Sequence, residues 1–161
     1  MALRVKDNAD INRIIESVKA LSENKVLVGF PDTTAGRNDG PITNASIAYV
    51  QNFGSPKQNI PAREFMESGL LSARDDLVDR LKIAADYAMK GNKEATIKSL
   101  HKVGLVAQAA IRNKITTGPF LPLSPITLAA RRARGRKGIK PLLDTGQLRR
   151  AVNYVLRGKW F

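Results

Sequence analysis

The sequence contains no cysteine. That excludes disulfide staples, thiol nucleophiles and zinc–thiolate sites, and suits a reducing compartment without requiring one. Histidine occurs once, at His101, so no His-rich metal constellation can be assembled. Long apolar runs are missing as well. The longest uncharged, apolar-rich stretch, 103–111, is far short of the roughly 20 residues that span a bilayer. The first 25 residues mix acids and bases with no apolar core, unlike a signal peptide. A soluble protein with no membrane partner is expected. Acidic residues are scarce in one place above all: residues 112–161 hold twelve Lys and Arg but a single acid, Asp144.

What is present begins with that imbalance. The chain carries a net charge of +13 over 161 residues. Its last third reads as a surface that meets something acidic, either nucleic acid or the acidic face of another protein. Within it Arg131, Arg132, Arg134, Arg136, Lys137 and Lys140 crowd into ten residues and are the candidate contacts. No aromatic residue is interleaved with them, so base stacking is not implied, and any grip on nucleic acid would be on phosphate without sequence readout. A solvated basic loop is the plain alternative. On the contact reading, neutralising Arg131, Arg132, Arg134 and Arg136 should leave the isolated fold nearly intact.

Catalytic chemistry finds little support. A serine nucleophile would need His101 as its base, and nothing local arranges that. GPITNAS lacks the Lys-Ser/Thr pair of a phosphate loop, and GRKGIKP lacks its spacing. Asp75, Asp76 and Asp79 lie among Arg74 and Arg80 at helical pairing distance, which accounts for them. No enzyme activity, metal or cofactor is expected.

The length suits a single domain, 1–161, with a real core. Asp7 or Asn8 can cap a first helix whose Ile11, Ile14, Ile15, Val18 and Leu21 form an apolar stripe. KVLVGF (25–30) reads as a buried strand, followed by a Gly/Pro/Asn/Asp loop at 31–41. A short helix from Thr43 should turn Ala45, Ala48, Tyr49 and Phe53 inward and stop at Gly54. NIPAR (59–63) should be extended. Two longer helices separated by Gly91-Asn92 form an αα-hairpin, the second marked by Ile97, Leu100, Val103, Ala107, Ile111 and Ile115. Ser124-Pro125 opens a further helix of about two turns inside the otherwise extended region 116–140. Asp144 and Gln147 have capping-box spacing for a last short helix. Residues 152–156 alternate as a final strand, expected to pair with 26–30. The fold class expected is α+β: a small, mostly antiparallel sheet covered by helices that include a long αα-hairpin.

The order of VLVGF, ASIAYVQNFGSP, IPAREFM, LSPITLAARR and KPLLDTGQLRRAVNYVL resembles the neck or tail-completion proteins of tailed bacteriophages, also described as minor virion-morphogenesis or head–tail joining proteins. The resemblance spans roughly 26–156. Its best-marked positions include Phe53, Gly54, Pro61, Arg63, Asp144, Thr145 and Gly146, with Asn52 and Glu64 standing where the family often has Glu and Pro. It implies a non-enzymatic structural protein of the virion, forming a ring in the head–tail connector. The partners implied are copies of itself (a hexamer, with a dodecamer as the alternative), adjoining connector and tail proteins, and non-specific contact with DNA in the channel. The location implied is the virion neck, after assembly in the host cytoplasm. The competing reading is a freestanding basic protein that binds nucleic acid through phosphates.

Overall fold

The computed structural model describes residues 8–31 and 42–158. Asp7 and nearly all of the 31–41 loop lie outside them. The described residues form seven α-helices, one short 3-10 turn and two strands. In chain order these are α1 (Asn8–Glu23), β1 (Lys25–Gly29), α2 (Asn44–Phe53), the 3-10 turn Pro56–Gln58, α3 (Phe65–Ser72), α4 (Arg74–Met89), α5 (Lys93–Thr117), α6 (Pro125–Ala133), α7 (Gln147–Ala151) and β2 (Asn153–Arg157). The fold is α+β, with a two-stranded antiparallel sheet formed by β1 and β2 and with the expected helical hairpin. The first hairpin helix is broken at Ala73 into α3 and α4, a division its apolar pattern does not announce.

The described residues group into two compact units. Each is built from discontinuous segments: 8–28, 73–107 and 154–158 in one, and 29–31, 42–72 and 108–153 in the other. Helix α5 supplies its first part to one unit and its last part to the other.

In the first unit α1 packs on α4. The buried residues are small: Ser17 and Ala20 on α1, Ala84 and Ala88 on α4. Small side chains let helix axes approach closely. This sets the rotation of α1. Its Ser17–Ala20 face turns inward, leaving Ile11, Ile15 and Val18 at 42%, 45% and 38% exposure, so three of the five residues of the apolar stripe are open to solvent. Strand β1 is likewise only half buried, with Leu27 exposed, because a two-stranded sheet has few neighbours to cover both faces. The α4–α5 turn uses Gly91 at φ 69°, and Asn92 Oδ1 accepts from Ala95 N (3.0 Å) to start α5. At Gly104 an added Cβ would lie 2.1 Å from Cδ2 of Tyr154, so β2 packs directly on the α5 backbone.

The second unit is centred on Phe65, which is fully buried and meets Phe30 edge to face at 6.3 Å between ring centroids. Ile111, Ile115, Leu148 and Val152 complete its core. Helix α3 approaches the end of α5 through Gly69, where a Cβ would stand 3.1 Å from the Ile111 Cα.

Candidate functional site

The Asn52–Arg63 stretch is one closed piece of backbone within the second unit. Gly54 ends α2 at φ 79°, ψ 174°, a region in essence reserved for glycine. Its missing Cβ leaves room for the Ala62 N and Ile60 O atoms, which a Cβ would meet at 2.8 and 2.9 Å. Ser55 and Ile60 pair antiparallel across the 3-10 turn, and Arg63 N donates to Gln51 O (2.9 Å). Asn52 is buried because its Oδ1 accepts from Met66 N (3.1 Å) in the first turn of α3. This bond overturns the expected orientation of α2. With Asn44, Ala48 and Asn52 inward, Tyr49 and Phe53 point out, 66% and 64% exposed, and their rings lie 4.9 Å apart. Phe53 is therefore a surface residue, not part of the core.

Arg63 is 5% exposed and has no carboxylate partner among the described residues. Its Nη1 donates to Gln51 Oε1 (2.7 Å) and, at 3.5 Å, to the Pro61 carbonyl; its buried Nε has no hydrogen-bond partner. Burial first, and the charge of Arg131 second, pull its pKa below the ordinary arginine value. A guanidinium nonetheless stays protonated at neutral pH.

The basic segment is built around Arg131. Ser124 Oγ accepts from Thr127 N (3.2 Å) and Pro125 occupies the first helical position, so α6 begins as its sequence leads one to expect. At its far end Arg131 turns inward and is 8% exposed. Arg131 Nη1 donates to the carbonyls of Gly138 (2.9 Å), Lys140 (3.0 Å) and Leu143 (3.2 Å), and Nε lies 3.5 Å from Asp144 Oδ1. Arg136 Nη1 donates to the other oxygen of the same carboxylate. The loop after α6 is wound on one guanidinium and closed by one acid.

Two expectations change as a result. Asp144 does not cap α7: Gly146, at φ 73°, holds that place without a side-chain bond, and the Asp144 carboxylate is taken by Arg131 and Arg136. Thr145 Oγ1 instead accepts a long bond from Gln147 N (3.4 Å). Nor can Arg131 and Arg136 be neutralised without disturbing the loop. Other cations also serve internally. Arg112 Nη2 donates to the carbonyls of Arg150 (3.2 Å) and Val152 (2.7 Å), Lys140 Nζ to Thr116 O (3.3 Å), Arg149 Nε to Thr116 Oγ1 (2.9 Å), and Arg150 Nη2 to Thr145 O (3.1 Å). Of the six candidate contact residues, Arg132, Arg134 and Lys137 are exposed and have no ion pair among the described residues.

Three of the marked positions, Asp144, Thr145 and Gly146, line a cleft of about 210 Å³ in the second unit, whereas Phe53, Gly54, Pro61 and Arg63 do not. Gln51, Thr127, Arg131, Asp144, Thr145 and Gln147 form its polar lining, and Ile47, Leu123, Leu142 and Leu148 the apolar part. Residues from three separate stretches of sequence meet here. Local pattern gave no sign of this, because each stretch alone reads as a turn or a helix end. No nucleophile with an adjacent base lines the cleft. His101 is in the other unit, where its Nδ1 lies 3.2 Å from Tyr154 Oη. Among the described residues no group of three His, Asp or Glu could hold a metal, and no helix is long and apolar enough to cross a membrane.

Comparison with protein-family models, with curated proteins and with solved structures finds no match.

Proposed function

We propose that the chain is a non-enzymatic structural protein of a tailed-phage virion, forming a ring in the head–tail connector that completes or joins the tail. The observation that carries this reading is the ordered set of neck-protein-like segments: ASIAYVQNFGSP brings Gln51, LSPITLAARR brings Thr127 and KPLLDTGQLRRAVNYVL brings Asp144, Thr145 and Gly146 to the lining of one cleft, and Arg63 of IPAREFM is bonded to Gln51.

Open apolar surface supports an assembly role. Ile11, Ile15 and Val18 on α1, and Tyr49 and Phe53 on α2, are large exposed side chains on faces that a subunit contact would cover. Contacts between rotated copies in a ring are heterologous, so one subunit needs two different faces. Arg132, Arg134 and Lys137 supply free positive charge for an acidic neighbour or for the DNA path.

Electron microscopy of the purified chain added to tail-less heads and free tails of the phage that encodes it tests the proposal. The expected result is a ring of density at the junction and restored joining. A chain that stays monomeric, adds no density at the junction and binds DNA with a steep loss of affinity on raising salt would overturn it in favour of a freestanding nucleic-acid-binding protein.

A further inference from the structure

The charged residues in the cleft lining are Arg131 and Asp144, with Arg131 Nε 3.5 Å from Asp144 Oδ1. Arg136 shares Asp144 with Arg131, and Arg63 is bonded to the wall residue Gln51. Donors are left over. Arg131 is more than nine-tenths buried, yet among the described residues all its hydrogen bonds are made through Nη1 and none through Nη2. Gln51 uses its Oε1 to hold Arg63, and its Nε2 amide has no partner among the described residues. Thr145 Oγ1 accepts one bond and has its own proton to give. An acceptor that enters the cleft can exchange solvent for these donors, and a hydrogen bond to a charged donor is worth more than a neutral one.

From this we infer that the cleft is a binding site for a carboxylate carried on a short alkyl stem, received by Arg131 Nη2, the Gln51 amide and the Thr145 hydroxyl. A planar carboxylate suits guanidinium and amide donors that line one cleft. The apolar wall of Ile47, Leu123, Leu142 and Leu148 covers methylene groups. Asp144 in the same lining repels a dianion far more than a monoanion, so inorganic phosphate is disfavoured. A glutamate or aspartate side chain of a neighbouring protein and a free small acid share this chemistry. The inference does not depend on the neck reading, because a carboxylate site can exist in a chain of any role.

The test is NMR titration of the full-length 15N-labelled chain, following the Gln51 side-chain amide and the Arg131 Nε–H. The probes are butyrate, an acidic peptide with blocked ends and one central glutamate, inorganic phosphate and chloride, all at equal ionic strength. Saturable shifts at both groups with butyrate or the peptide, and none with chloride, are expected. Peptide binding at least about tenfold tighter than butyrate identifies a protein side chain as the source, and equal or weaker binding a free acid. Gln51→Glu places a carboxylate against Arg63 within the chain; it should weaken carboxylate binding by about tenfold or more and raise the melting temperature. Should that variant not fold, Thr145→Val should weaken binding several-fold, and Arg132→Gln should leave it unchanged. The inference is overturned if no probe gives saturable shifts, if phosphate or chloride matches butyrate, or if Arg132→Gln weakens binding as much as the cleft variants do.

Discussion

Replacing Gly54 with alanine separates two costs that a glycine can hide. Gly54 sits at φ 79° and ψ 174°, where a side chain is strained whatever the space around it. Residues held in such regions cost about 1–3 kcal/mol. A Cβ would also meet Ala62 N at 2.8 Å and Ile60 O at 2.9 Å. Both are backbone atoms. Ser55 and Ile60 are tied by backbone hydrogen bonds across the turn (2.8 and 3.0 Å), so the chain there cannot simply step aside. Forced overpacking of this kind adds about 1–3 kcal/mol. The sum, about 2–6 kcal/mol, should lower the melting temperature by roughly 4–24 °C at about 2–4 °C per kcal/mol for a chain of this size. Gly135 is the control: it has φ 72° but nothing within 4 Å of an added Cβ. Gly135→Ala should therefore carry the conformational cost alone, about 1–2 kcal/mol. Urea and thermal unfolding followed by far-ultraviolet circular dichroism measure both. If Gly54→Ala costs no more than Gly135→Ala, the close approach of the Ile60–Ala62 backbone does not constrain this site.

Arg131→Ala removes three carbonyl partners and an ion pair at a buried position, and should cost about 3–5 kcal/mol in urea unfolding, whereas Arg132→Ala at the exposed neighbouring position should stay within about 0.5 kcal/mol. A double-mutant cycle on Asp144→Ala and Arg136→Ala should give a coupling of about 0.5–3 kcal/mol, since the two side chains bond directly; a coupling of zero would mean that Asp144 acts on stability by some other route. Neutralising Arg132, Arg134 and Lys137 together should leave the melting curve unchanged while reducing the yield of joined particles, and normal yield at normal salt tolerance would make this a solvated surface. Gly104→Ala should destabilise the first unit by about 1–3 kcal/mol, because the new methyl would overlap the Tyr154 ring; calorimetry on the purified variant reads this directly.

Sequence alone determined the elements whose signals are local. The Ile97–Ile115 periodicity placed α5 and most of its buried face, which includes Leu100, Val103, Ala107, Ile111 and Ile115. Ser124-Pro125 started α6 because capping and proline geometry act within one turn of helix. The two strand-like runs at opposite ends of the chain pair with each other within a residue of their expected bounds. Tertiary structure decided the rotation of the shorter helices and the use of the charges. Helix α2 turned Tyr49 and Phe53 outward because Asn52 found a backbone N–H fourteen residues away, and α1 turned Ile11 and Ile15 outward because α4 offered a face of small residues. The basic segment divided in the same way. Arg131 reaches carbonyls seven to twelve residues further on, and Asp144 is drawn to Arg131 and Arg136 rather than to the end of α7. A guanidinium is written identically whether it faces solvent or holds a loop. What distinguishes the two is which acceptors the folded backbone brings within about 3 Å, and that depends on the whole unit rather than on neighbouring residues.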